Sequence, residues 1–268
     1  MIEGIAELPG IRLAYSDTGG DGAVVVLLHP NTGSLAVWAY QRPALMAAGF
    51  RVIAYSRRGH LGSDPGPEEA PGTGSGDLLA LLDHLGLDRV HLMGTAAGAI
   101  VALDFALSYA SRTLSATLAC TILGITDPDY IALGQRLRPA GFAAMPPEFR
   151  ELGPSYRAEN PAGVEAWRAL EHRAIPGRQS RQGTTTRLTY AALRGLSVPC
   201  LLVTGDADLW APPAVQRLFQ RHLPHAEAVV IAEAGHSAYW EQPEAFNAAL
   251  LDFLTRFGAP HEGRSHGE

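Results

Sequence analysis

Three short stretches, far apart in the chain, carry residue types that could do chemistry together. In "VHLMGTAAGAIVALDFAL" (90–107) an apolar strand-like run meets a glycine-flanked turn and then a helical run, and the residue at the centre of the turn is Ala96. A strand-to-helix turn of this kind strains its central residue and stands that side chain at the top of a sheet. In "LLVTGDADLWAPP" (201–213) a buried strand ends at Gly205 and delivers Asp208 into the next loop, with Asp206 available to hold the turn. In "EAGHSAYWEQPEAF" (233–246) His236 sits in a glycine-containing loop between a strand and a helix opened by Pro243. A carboxylate that orients an imidazole makes a general base, and an imidazole facing a nucleophile makes acyl transfer. The methyl of Ala96 cannot attack anything. Thr95 carries a hydroxyl, but the residue before the centre of such a turn points away from the histidine.

Positioning these residues requires a sheet. Apolar β-rich runs at 11–15, 24–28, 51–55, 90–93, 115–123, 199–204 and 226–231 alternate with helical stretches at 35–48, 77–85, 97–108, 213–223 and 243–257. That alternation predicts a mostly parallel sheet covered by helices, since central parallel strands are apolar on both faces. Residues 65–76, "PGPEEAPGTGSG", are dense in Pro and Gly and read as an exposed loop. Residues 126–193 break the rhythm with a helical, Arg-rich stretch, too long for a bare loop. They are expected to form a helical cap at the sheet edge where open α/β sheets bind ligands, with 1–125 and 194–258 as the core and 259–268 as a frayed tail.

Composition narrows the class. The 268 residues are 47% apolar and 18% charged, with a formal net charge of −6. A sizeable core can therefore be buried, and neither nucleic acid nor an anionic membrane is an expected partner, because both need clustered Lys and Arg. The two cysteines, Cys120 and Cys200, lie in apolar runs and read as inert core thiols suited to a reducing cytoplasm. No apolar run approaches the ~20 residues of a membrane helix, and the N-terminus lacks a signal-peptide pattern. Neither a metal-ligand cluster nor a dinucleotide fingerprint is present, so no cofactor is expected. The expected partner is a small-molecule substrate, with a homodimer left open.

The chain order of elbow, acid and histidine, with "GDAD" at 205–208, "AGH" at 234–236 and "WEQPEAFN" at 240–247, resembles the α/β-hydrolase superfamily, in its capped haloperoxidase-like or C–C-hydrolase-like branch. The resemblance covers essentially the whole chain. It implies an eight-stranded, mostly parallel sheet, a cap inserted before the penultimate strand, and Ala96, Asp208 and His236 in the places of nucleophile, acid and base. It implies an oxyanion hole from the N–H groups of Ala97 and of Asn31, in "VVVLLHPNTG"; Pro30 replaces the usual Gly there but the donor comes one residue later. "YSRRGHLGS" (55–63) resembles the family's D-x-R-G-x-G-x-S stretch through Arg58, Gly59 and Ser63, with Ser56 for Asp and Leu61 for Gly. Arg58 is expected to be structural, and His60 is a further candidate near the site. The C–C hydrolases usually carry Asn where Thr95 stands, so an ester, lactone or thioester is the expected substrate class.

Three readings of Ala96 stay open. The chain is a serine hydrolase whose nucleophile is lost or deliberately replaced; or it is a nucleophile-less, cofactor-independent lyase, isomerase, decarboxylase or oxygenase using His236 and Asp208; or it is a ligand-binding protein on a hydrolase scaffold. The substrate pocket is expected to draw on His29, Trp38 and Trp210 at the sheet edge and on Tyr130, Phe142 and Trp167 from the cap. The cap arginines Arg136, Arg138, Arg157 and Arg173 are candidates for recognising an acidic oxygen, otherwise solvated.

Overall fold

A computed structural model describes residues 1–138 and 140–257. Eight strands, β1 (Ile2–Leu8), β2 (Ile11–Asp17), β3 (Val24–Leu28), β4 (Arg51–Tyr55), β5 (Val90–Thr95), β6 (Thr113–Ala119), β7 (Cys200–Gly205) and β8 (Ala226–Ile231), form one sheet in the order β1-β2-β4-β3-β5-β6-β7-β8. The β1–β2 and β2–β4 pairs are antiparallel and every other pair is parallel. The expected eight-stranded, mostly parallel architecture is therefore present.

The sequence reading missed β1. Its burial alternates weakly, with only Ala6 and Leu8 inside, because it is an edge strand supported from one side by its hairpin partner β2. The run expected at 115–123 ends as a strand at Ala119: Cys120 and Leu123 adopt φ of 45° and 52°, which no extended strand can hold. The helix expected at 35–48 divides into a 3₁₀ turn, Leu35–Val37, and α1 (Gln41–Ala47).

Two apolar layers hold the sheet. Because side chains alternate along a strand, Val26 and Leu28 face one layer and Val25 and Leu27 the other. The first is covered by α2 (Gly74–His84) and α3 (Ala97–Ser108), which contribute Leu78, Leu81, Leu103 and Phe105. The second is covered by α1 and the C-terminal helix Pro243–Phe257, which buries Phe246, Leu250, Phe253 and Leu254 at the expected spacing.

Between β6 and β7 the chain runs through α4 (Pro128–Leu137), α5 (Pro147–Glu151), α6 (Pro154–Glu159), α7 (Pro161–Ala174) and α8 (Tyr190–Arg194). Helix α9 (Pro213–Gln220) joins β7 to β8, and α10 (Ala238–Glu241) precedes the C-terminal helix, α11. The expected frayed tail at 259–268 lies outside the described residues. Among the described residues no helix is long and apolar enough to cross a membrane.

Candidate active site

The elbow is built by close packing. Ala96 stands between β5 and α3 with φ 50° and ψ −115°, a conformation that costs a non-glycine residue of order 1–3 kcal/mol and is kept where surroundings impose it. Those surroundings are visible: the Ala96 N–H donates to the Ala119 carbonyl at 2.9 Å, and the Ala96 carbonyl accepts from Thr121 Oγ1 at 2.9 Å. A Cβ on Gly98 would lie 2.0 Å from the Leu28 carbonyl oxygen, and one on Gly94 would lie 2.5 Å from that of Gly98. Only glycine lets β3, β5 and α3 approach this closely. The hydroxyl of Thr95 is buried and has no hydrogen-bond partner among the described residues, and Thr95 does not line the cavity above the elbow.

Asp208 and His236 come from the loops after β7 and β8. His236 Nδ1 lies 2.9 Å from both carboxylate oxygens of Asp208. Asp208 Oδ1 also accepts the backbone N–H groups of Trp210 and Ala211 at 2.8 and 2.9 Å, which fix its orientation. Asp206, the alternative acid, holds the turn: its Oδ1 accepts the Ala234 N–H at 3.3 Å. Glu241 clamps the histidine loop, accepting the N–H groups of Gly235 and Ser237 on either side of His236, and that of Gly153 at 2.6 Å.

Charge in this corner is finely opposed. Burial pulls the His236 imidazole down, but the charge of Asp208, Glu151, the hydrogen bond donated to Asp208 and Glu241 together outweigh it and raise its pKa to about 8. Burial raises the Glu151 carboxyl above the ordinary carboxylate range, against the pull of His236. Burial likewise lifts Glu241 to about 7, against its three N–H donors.

A cavity of about 580 Å³ opens above the elbow, lined by Ala96, Ala97, Asn31, Trp210 and His236, with Arg150 and Glu151 from α5 and Glu171, His172 and Ala174 from α7 completing its wall. Ala97 is the first residue of α3, where backbone N–H groups have no intrahelical partner. The Asn31 side chain is held by Gln179 Nε2 at 2.8 Å. Among the described residues no group of three or more His, Cys, Asp or Glu is arranged to hold a metal ion.

The structure thus brings Ala96, Ala97, Asn31, Trp210 and His236 to one cavity, with Asp208 behind His236. It does not bring the remaining pocket candidates there. His29 is fully buried, its Nδ1 2.7 Å from the Pro30 carbonyl and its Nε2 accepting the Arg57 N–H at 2.9 Å. His60 packs on the His29 ring at 4.5 Å, and burial lowers its pKa to about 4. Trp38 is buried against Tyr239, Trp167 lies in the second apolar layer, and Tyr130 packs on Phe219. Phe142 stands one layer back, its ring edge-on to Trp210 at 4.8 Å. The large aromatic side chains of the helical segment pack inward, while Arg150, Glu151, Glu171, His172, Ala174 and Ile175 line the cavity. Arg58 is structural as expected, with two 2.7 Å bonds to Asp77.

Glu151, like Arg150, Glu171 and His172, lines the cavity and was missed by sequence reasoning. Its Oε1 accepts Trp210 Nε1–H at 3.1 Å and its backbone carbonyl accepts the Ser237 N–H at 2.9 Å. A glutamate in "PPEFRELG" reads as a solvated helix residue, and no spacing signal distinguishes it.

The chain resembles known proteins over nearly its whole length. The chain is 31% identical to epoxide hydrolase A of Mycobacterium tuberculosis, over 94% of this chain and 97% of that protein. Its fold superposes on an esterase from Thermogutta terrifontis with a TM-score of 0.79, 28% identity and coverage of 97% and 100% of the two chains. An enol-lactonase from Burkholderia xenovorans superposes with a TM-score of 0.73 at 26% identity, over 94% and 100%. Residues 25–249 match the model of the alpha/beta hydrolase family, a span that runs from β3 through the elbow and the loops that carry Asp208 and His236 into α11, and the chain belongs to that family.

Proposed function

We propose that this enzyme acts at the carbonyl carbon of a small to medium acyl compound, an ester, lactone or thioester, without forming a covalent acyl-enzyme. Water takes the place of the absent side-chain oxygen. His236 removes a proton from that water as its oxygen attacks the carbonyl carbon, and Asp208 stabilises the imidazolium that forms. The N–H groups of Ala97 and Asn31 receive the negative charge that develops on the carbonyl oxygen. Collapse of the tetrahedral species breaks the bond to the leaving oxygen or sulfur, which takes the proton back from His236. Atoms and charges balance with water as the only co-reactant.

The observation that carries this reading is the convergence of His236, Ala96, Ala97 and Asn31 on one cavity, with both Asp208 oxygens on the far ring nitrogen. A pure binding protein has no chemical need for an imidazole held in that way. One feature favours a second reading: the Glu151 carboxyl in the same cavity supplies a second proton-transfer group, as an isomerase or lyase would use. Turnover of short-chain p-nitrophenyl esters by the parent and by His236→Ala tests the first reading. It expects the variant to lose at least about a hundredfold, the lower end of what a general base contributes. Equal turnover in the two proteins would refute it.

A further inference from the structure

A second cavity, of about 300 Å³, lies on the other side of Asn31, Ala97 and Ile100, the three residues that line both it and the cavity above the elbow. Its wall includes Arg57, Arg181 and Asp104. Arg57 follows the end of β4, and its N–H is fixed to His29 Nε2. The Nε and Nη2 atoms of Arg57 are buried and have no hydrogen-bond partner among the described residues. Its neighbour Arg58 is the internal contrast, with Nε and Nη2 each 2.7 Å from an Asp77 oxygen. Asp104 does not serve as the missing counter-charge: its oxygens accept from Ser75 Oγ and from the N–H groups of Thr185 and Thr186, at 2.5 to 2.8 Å. Buried guanidinium N–H groups without an acceptor are costly, and the guanidinium fork fits a carboxylate with two parallel bonds. Burial pushes the Arg57 guanidinium down to about 10.

We propose that this second cavity is a subsite for a carboxylate carried by the substrate, received by Arg57, so that the preferred substrates are acyl compounds with a free carboxylate a few carbons from the scissile carbonyl. The substrate class rests on the acyl-transfer reading; the anion site rests on Arg57 and the cavity alone. The arrangement fits such a molecule, because Ala97, whose N–H would hold the oxyanion, and Arg57, whose guanidinium would hold the carboxylate, line adjoining cavities.

The test uses glutarate, which has no ester bond, and its neutral diamide as probes of the parent protein, Arg57→Met and Arg57→Lys, with affinity read by calorimetry at pH 7.5. Glutarate should bind the parent at least about thirtyfold more tightly than the diamide does, the preference expected when a charge meets a buried partner. Arg57→Met should abolish that preference, Arg57→Lys should keep part of it, and added salt should weaken only the glutarate signal. Should Arg57→Met fold poorly, the parent's unfolding midpoint must still rise with glutarate and not with the diamide. Equal binding of both probes by the parent, or an undiminished preference in Arg57→Met, would overturn the assignment. Glutarate binding that depends on Arg57 in a protein without esterase activity would leave the subsite standing and remove the acyl-transfer reading. Ester turnover indifferent to a distal carboxylate and to Arg57 would do the reverse.

Discussion

Replacing Ala96 by Ser puts a hydroxyl where the elbow already presents a side chain. The backbone cost of φ 50° is met by alanine and hardly differs for serine, since both carry a Cβ, so the variant should fold as the parent does. His236 is already held by two 2.9 Å contacts to Asp208, and the new hydroxyl completes a nucleophile–base–acid series. An alkoxide-like nucleophile generated in place, set against a water that must be captured, should raise kcat on p-nitrophenyl butyrate by about 10²–10⁴-fold. With a His236 pKa of about 8, only about one-tenth of the imidazole is neutral at pH 7 and about nine-tenths at pH 9, so the rate should climb about tenfold across that interval. A fluorophosphonate should label Ala96→Ser at that serine and leave the parent unlabelled, by intact-protein mass spectrometry. A gain below about tenfold with no adduct, in a folded variant, would mean that the imidazole does not face the elbow and would refute the reasoning.

Stability should depend on pH through the same histidine. Its pKa is raised in the folded protein from 6.5 to about 8, so the protonated ring favours the fold; that contribution is complete below pH 6.5 and is lost as the pH rises through 8. The gap corresponds to about 2 kcal/mol, so chemical denaturation should show unfolding free energy declining over pH 6.5–8, and His236→Gln should flatten the decline in that window. Gly98→Ala should cost about 3 kcal/mol or more, because its Cβ would stand 2.0 Å from the Leu28 carbonyl oxygen and backbone on both sides must move. An unchanged melting temperature in that variant would show that β3 and α3 are not packed as described.

The sequence by itself determined the sheet interior, because strands buried on both faces must be apolar throughout: the run at 24–28 is β3, and the helices Ala97–Ser108 and Pro243–Phe257 fall where periodicity places them. It also determined the three chemical stretches, since a glycine pair around a strained turn and a carboxylate after a strand end are local requirements. The half-exposed strand β1 was not legible, for an edge strand needs few apolar residues. Tertiary structure alone decided which residues of the helical segment face the site. Their aromatic character and place in the cap offered Tyr130, Phe142 and Trp167 as pocket residues, yet packing turned them inward and left Glu151, Arg150 and His172 on the cavity wall. The same holds for the neighbouring arginines. Arg57 and Arg58 are adjacent letters in one string, but only folding gives Arg58 the carboxylate of Asp77 and leaves Arg57 Nε and Nη2 without a partner among the described residues, because pairing depends on what distant elements carry to each side chain.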